Sequence, residues 1–304
     1  MNGIGDAKRE RGFCTFARRS EAMWGYLFIA PQILGLVLFI LGPVLSAFYL
    51  SFTRWNMTSP PEWVGLENYL RQFTNTNFFA LLGNTLYLTF GYIPLVVVAS
   101  LVMALLLNQR LPLTNMYRSV YFLPVVTSIV AISVLWKWLL QPEFGLLNYL
   151  LSLVGIKGPL WLSSREWAMP GLILMRVWWG SGYYMVIILA GLQGIPTAYY
   201  EAAKIDGANT WQRFRHVTLP LLSPAIFFVI IMAAIWTLQA FDQVYMMTEG
   251  GPADATSVMV LQIYRQAFRY FRMGDATALS MILFAIILIF TYLQFRYSKW
   301  VHYQ

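Results

Sequence analysis

Six apolar segments limit the ways this chain can fold more than any other feature. Each is about 20 residues or longer, the length an α-helix rising 1.5 Å per residue needs to cross about 30 Å of hydrocarbon. They lie near residues 24 to 52, 84 to 108, 119 to 140, 169 to 193, 221 to 244 and 276 to 297. With 59% hydrophobic and 11% charged residues in 304, the chain lacks the polar surface of a soluble domain of this size, so a bilayer must take the place of water. In lipid the backbone must satisfy its own hydrogen bonds, so all six read as helices. The expected fold class is an all-α integral membrane protein: a tail over 1–23, six transmembrane helices over 24–297 and a tail over 298–304. Gly42-Pro43 predicts a bend in the first helix.

Orientation follows from Lys and Arg, which concentrate in cytoplasmic connections. Lys8, Arg9, Arg11, Arg18, Arg19, Arg110, Arg118, Lys204, Arg213, Arg215, Arg296 and Lys299 fall on one side, and Arg54, Arg71, Lys157, Arg165, Arg265, Arg269 and Arg272 on the other. Twelve against seven predicts that both termini and the fourth connection are cytoplasmic. The apolar run from Gly25 to Leu41 is longer than the core of a signal peptide, so it reads as a retained span. The net charge of +8 sits beside the spans, where it favours anionic lipid over nucleic acid. One cysteine, Cys14, and two histidines, His216 and His302, leave no disulfide framework and no Cys/His metal cluster within this chain.

The fourth connection, about 194–220, reads as helix, sharp turn, helix. Pro196-Thr197 opens the first helix with Thr197 as cap, and Ala198 to Ile205 are good helix formers with Glu201 near the positive end. Asp206-Gly207 ends it, with Gly207 in the left-handed conformation. Asn209 or Thr210 then caps a helix from Trp211 to Val217, which Leu219-Pro220 breaks. Small residues at Ala202 and Ala203 allow another protein to approach closely.

Glu201-Ala202-Ala203, three residues, Gly207, nine residues, Val217, one residue and Leu219-Pro220 resembles the cytoplasmic coupling motif of permease subunits of bacterial ABC-type carbohydrate importers. Similar agreement is found in Ala190-Gly191-Leu192-Gln193-Gly194-Ile195-Pro196, Phe241-Asp242 with Thr248-Glu249-Gly250-Gly251-Pro252, Val64-Gly65-Leu66-Glu67-Asn68-Tyr69, Ile263-Tyr264-Arg265-Gln266-Ala267-Phe268, Phe295-Arg296-Tyr297, and Val301-His302-Tyr303-Gln304. The resemblance implies a type I ABC importer permease-like fold in a bacterial inner membrane, taking a sugar or related polyol. It implies that Glu201, Ala202, Ala203, Asp206, Gly207, Leu219 and Pro220 dock in a cleft of an ATP-hydrolysing subunit. The implied partners are a second related permease, two ATPase subunits and an extracytoplasmic solute-binding protein. ATP and Mg2+ would belong to the ATPases, since this chain has no Gly-x-x-x-x-Gly-Lys-Ser/Thr phosphate loop and so no catalytic residues of its own.

Polar groups within hydrocarbon are costly and therefore candidates for solute contact. Arg176, Trp179 and Tyr183 share one face of the fourth span, and Trp236, Gln239 and Gln243 share one of the fifth, with Asp242 adjacent. Aromatic platforms with a few amides suit a sugar, whose C–H faces pack on rings while its hydroxyls need polar partners. Arg176 either pairs with Asp242 or meets the solute directly. Lys137 reads as snorkelling within an aromatic belt. Outside, Arg265, Arg269 and Arg272 form an i, i+4, i+7 stripe that can receive an acidic binding protein or lipid headgroups.

Two other classes compete. An ion-gradient carrier would favour buried acids and inverted repeats, and Asp242 is the sole candidate acid within the spans. An intramembrane hydrolase would need a histidine beside Ser181, and the spans hold none, so Gly180-Ser181-Gly182 reads as close helix packing.

Overall fold

A computed structural model describes residues 23–109 and 112–298. The basic N-terminal tail with Cys14, Arg110, and the terminal residues from Lys299 with His302 lie outside the described residues. The helices are α1 (Met23–Leu50), α2 (Glu67–Thr74), α3 (Asn77–Leu107), α4 (Thr114–Val126), α5 (Ile129–Leu139), α6 (Leu146–Leu153), α7 (Ala168–Gln193), α8 (Thr197–Ile205), α9 (Thr210–Leu221), α10 (Ser223–Leu238), α11 (Asp242–Met247), α12 (Met259–Tyr264) and α13 (Met273–Arg296). α1, α3, α7 and α13 are each long and apolar enough to cross a bilayer, and two bent pairs, α4–α5 and α9–α10, bring the number to six when each pair is counted as one span.

Four of the expected spans appear as single helices, with α3 beginning at Asn77, earlier than sequence indicated. At 31 residues it is about 46 Å long, so its ends leave the hydrocarbon. In α1 the expected bend at Gly42-Pro43 is a widened turn over Val37–Leu41, where Gly42 N–H reaches back to Val37 and the helix continues to Leu50. Pro43 has no N–H to give, and the wider turn absorbs the mismatch. No residue of α1 is buried within this chain.

The third and fifth spans are corrections to the single helices expected. α4 and α5 meet at 95° across Thr127 and Ser128, both outside the helical conformation. Pro124 in the last turn of α4 lacks an N–H, and the Thr127 hydroxyl donates to the Pro124 carbonyl that the helix end leaves open. The fifth span ends at Leu238, and residues 239–241 lead into the short α11. A two-stranded antiparallel ribbon, Thr53–Arg54 with Glu62–Trp63, departs from the all-helical expectation on the surface after α1.

The core centres on α3 and α7, the most extensively packed pair. Tyr92 and Val96 meet Tyr184, Met185, Ile188 and Leu189, and α10 closes the cluster with Ile226 and Val229. A second cluster joins α5, α7 and α11 through Met169, Leu172, Val244 and Met247. The tight packing depends on small residues. A Cβ on Gly182 would collide with the Tyr121 carbonyl of α4, and one on Gly180 with the Tyr92 hydroxyl. The Gly-Ser-Gly step therefore packs helices, and the Ser181 hydroxyl donates within its own helix, to the Trp178 carbonyl at 3.2 Å.

Candidate functional site

The connection between α7 and α10 folds as a protruding knob. α8 ends in a Schellman motif: Gly207 N–H donates to the Lys204 carbonyl at 3.1 Å and Ala208 N–H to the Ala203 carbonyl at 2.9 Å. Gly207 has φ +77°, the left-handed conformation expected of it. Asn209 caps α9 with a reciprocal pair, its side chain accepting from Gln212 N–H at 2.9 Å while Gln212 Oε1 accepts from Asn209 N–H at 2.7 Å.

Two details of the knob differ from expectation. Pro196, not Thr197, occupies the N-cap of α8, and no side chain caps it. Leu219-Pro220 does not stop the second helix. A wide turn over Phe214–Thr218 lets Leu219 N–H reach Phe214, the helix passes Pro220, and the 62° bend comes at Leu222. Glu201, Ala202, Asp206 and Gly207 are exposed, and Ala203 and Pro220 are half-buried. Ile205, at 87% exposure, is the most exposed large apolar side chain among the described residues.

The second candidate region surrounds the break that follows α10 at residues 239–241. At the end of α10 the turn tightens, with Ala240 N–H donating to Thr237 at 3.0 Å, so the Trp236 carbonyl loses its usual i+4 donor. Arg176 supplies the replacement. Its Nη2 donates to Trp236 O at 2.8 Å and its Nη1 to Gln243 Oε1 at 2.6 Å, while its guanidinium carbon lies 5.1 Å from the centre of the Tyr92 ring. Arg176 is 5% exposed and forms no ion pair with Asp242, which is exposed. The expected Arg176–Asp242 pair is thus replaced by neutral acceptors.

Trp236, Gln239 and Gln243 do not share one helix face, because the break separates them. Gln239 is exposed and its Nε2 donates to Ile235 O at 3.2 Å, whereas Gln243 turns inward to Arg176. Tyr183 and Trp236 do meet, with ring centres 5.3 Å apart, and Tyr184 packs against both. Trp179 belongs to the neighbouring cluster beside Phe241 and Tyr245, and its indole N–H has no partner among the described residues. Sequence reasoning missed Tyr92, the ring under Arg176.

On the opposite end of the bundle, the three-arginine stripe is not continuous. α12 runs into a wide turn over Arg265–Arg269 and stops, and Arg272 is the N-cap of α13. Arg265 turns inward, donating to the Glu249 carbonyl, to Asp254 at 3.3 Å and to Ser257 at 3.4 Å, and so braces the turn that contains Gly250. Arg269 lies 3.8 Å from Glu249, and Arg272 is exposed. Nearby, Asn68 donates to the Ser51 and Thr53 carbonyls at 2.9 and 2.8 Å, and Arg71 joins Glu67 to the buried Asp275. Arg54, and after it Arg71, hold the Glu67 carboxyl below its ordinary value of 4.5.

Among the described residues no three His, Cys, Asp or Glu gather as metal ligands. Comparison with known proteins bears on the whole chain. The family described as binding-protein-dependent transport system inner membrane component matches residues 96–302. A probable ABC transporter permease protein, YesP, of Bacillus subtilis (strain 168) is 36% identical, covering 100% of this chain and 98% of its own. The lactose transport system permease protein LacF of Rhizobium radiobacter is 37% identical, covering 90% and 94%. A crystal structure of a bacterial alginate ABC transporter, in complex with alginate pentasaccharide-bound periplasmic protein, contains a chain with the same fold at a TM-score of 0.81 and 23% identity, over 93% of this chain and 96% of that one. The helical bundle, the knob before α10 and this family match agree, and the chain belongs to the inner-membrane permease components of binding-protein-dependent transport systems.

Proposed function

We propose that this subunit passes a sugar or related polyol through the membrane by alternating access, driven by separate ATPase subunits. The observation that carries the reading is the paired rings of Tyr183 and Trp236 beside the break at 239–241, with Gln239 exposed at its edge. Rings supply a face for sugar C–H groups, and the exposed Gln239 amide after α10 supplies a polar partner for hydroxyls. The lactose for which one relative is named agrees with this class.

In the proposed cycle a loaded binding protein docks outside, and ATP binding closes two partner ATPases. The knob, docked through Glu201, Ala202, Ala203, Asp206 and Gly207, is driven as a rigid body, with Leu219 and Pro220 carrying the motion into α10. Its Schellman turn and capping box supply that rigidity. A second permease completes the pathway, both termini and the knob face the cytoplasm, and ATP with Mg2+ stays on the ATPases. Arg269 and Arg272 receive the binding protein, while Arg265 serves structure.

Purification of the tagged chain from its membranes should recover a phosphate-loop ATPase and a second permease. The reconstituted complex should then take up solute only with ATP. Trp236→Ala and Gln239→Ala should raise the solute concentration for half-maximal uptake. Uptake that follows an ion gradient without ATP overturns the reading. Arg269→Gln with Arg272→Gln should raise the binding-protein concentration needed, and unchanged kinetics remove the docking assignment.

A further inference from the structure

A cleft among the described residues lies not at the aromatic pair but against the knob. It has a volume of about 840 Å³, within the roughly 300–1,000 Å³ of small-molecule sites. Leu105 at the end of α3 forms one wall. Tyr200 and Lys204 of α8 and Trp211, Arg213 and Phe214 of α9 form the other. Two properties separate this cleft from an ordinary surface groove.

The first is charge. Neither Lys204 nor Arg213 pairs with an acidic side chain among the described residues, and the polar contact Arg213 makes is with the Thr210 hydroxyl at 3.2 Å. Glu201 and Asp206, the acids of the same knob, form no ion pair with either. Two cations thus border a cavity whose remaining lining is mostly apolar and aromatic.

The second is depth. Leu105 is two residues from the end of a helix too long for the hydrocarbon, where the apolar run gives way to Asn108 and Gln109. Exposed Val102 and Leu106 on the same helix continue an apolar surface along α3. Trp211, Tyr200 and Phe214 line the cleft beside this end of the apolar helix, and aromatic side chains of this kind are enriched at membrane–water interfaces. An occupant that is anionic at one end and hydrocarbon at the other fits both properties, and the bilayer supplies one at this depth.

We infer that this cleft is a binding site for one anionic phospholipid, its phosphate between Lys204 and Arg213 and its acyl chains along Leu105 and Phe214. Basic pockets at the membrane surface recognise headgroups this way. The lipid would wedge between α3 and the knob, joining the element that moves to the bundle that responds. The site does not depend on the solute or on the ATPase assignment, because the readout is lipid retention.

The test is native mass spectrometry of the full chain, released from nanodiscs of equal parts dioleoylphosphatidylglycerol and dioleoylphosphatidylcholine. One phosphatidylglycerol should remain per chain in preference to phosphatidylcholine. Lys204→Gln or Arg213→Gln should weaken that preference about fivefold each and the pair about 30-fold. The swap Lys204→Arg with Arg213→Lys keeps both charges and should keep the lipid. Leu105→Trp, which narrows the apolar wall of the cleft and leaves the charges, should weaken retention of the lipid. Three results overturn the inference. The preference survives in the double Gln variant with an unchanged elution profile. Or glycerophosphoglycerol, the headgroup without chains, displaces the lipid equally well, which makes the cleft a free-anion site. Or a photocrosslinker at Trp211 captures protein in the intact complex while phosphatidylglycerol is released, which makes the occupant a partner subunit.

Discussion

At Gly207 one helix ends and another begins within a few residues, and the junction closes its hydrogen bonds with partners close by in sequence. At 239–241 a helix also ends and another begins, but the Trp236 carbonyl is satisfied by Arg176, 60 residues earlier on another helix. The knob projects from the bundle, where water can take any hydrogen bond the chain leaves open. The break follows the last turn of α10, where Arg176 and Gln243 are buried among packed helices and an unpaired carbonyl costs free energy. Local capping is enough in the first setting. The second needs a cation from a neighbouring helix, and with it comes a fixed geometry between α7 and α10.

The contrast predicts where substitution is most damaging. Arg176→Leu removes both donors, leaving Trp236 O and Gln243 Oε1 without their partner, and should destabilise the folded chain by on the order of 3 kcal/mol. Arg176→Lys, which supplies a charge but not a two-armed fork, should fall between. Thermal unfolding in detergent, followed by loss of monodisperse elution, measures both. If the Arg176→Leu variant unfolded no earlier than the wild type, the break would not rely on Arg176.

Next in size is Gly207→Val. No atom lies within 4 Å of an added Cβ, so its effect is purely one of backbone conformation, a cost of about 1–2 kcal/mol for the left-handed turn. Stability of the bundle should change little, whereas ATP-dependent uptake and ATPase co-purification should be lost. Gly207→Asn, which tolerates this conformation, should retain both. Normal uptake by the Val variant would sink the rigid turn. Asn209→Ala follows, removing the acceptor for Gln212 N–H at about 1 kcal/mol, with Asn209→Ser as rescue. A loss of uptake larger than that of Gly207→Val would mean that the cap, not the turn, sets the knob's shape.

The same contrast explains what can be read from the residues alone. The knob's spacing, Gly207's conformation and the cap at Asn209 are short-range properties, and hydropathy locates the six segments for the same reason. The breaks at 127–128 and 239–241 are invisible to it, because hydropathy averages over a window and does not register where hydrogen bonding fails. Placing Gln239 and Gln243 on one face assumes a continuous helix, and pairing Arg176 with Asp242 assumes that a charge must find a charge. The Arg265, Arg269 and Arg272 stripe fails in the same way, since Phe271 at φ +55° redirects the chain after α12. Asn68 stands out in the sequence only as part of a similar run of residues; its two carbonyl partners come from the ribbon and the end of α1, which no spacing rule brings together.

The smallest effect expected lies at the end of the bundle away from the knob and sharpens the contrast with the helix core, because there the charges that pair are exposed. Glu67 accepts from Arg54 at 2.9 Å and from Arg71 at 2.6 Å, and these two arginines, Arg54 first, lower its pKa from 4.5. A carboxyl with a lowered folded-state value stabilises fully above its unfolded value and loses that contribution as pH falls through the folded one. Stability should therefore decline below about pH 4.5 in the wild type through this group, and Glu67→Gln should flatten that part of the profile while changing little at pH 7. Because the carboxylate is exposed, salt should shrink the difference as well. The measurement is the detergent unfolding midpoint from about pH 6 to 3.5, at low and high salt. A Gln variant that loses as much stability at pH 7 as Arg176→Leu would mean that the Arg71 bridge between α2 and Asp275 depends on Glu67, and that this end of the bundle is held by charge as tightly as the junction after α10.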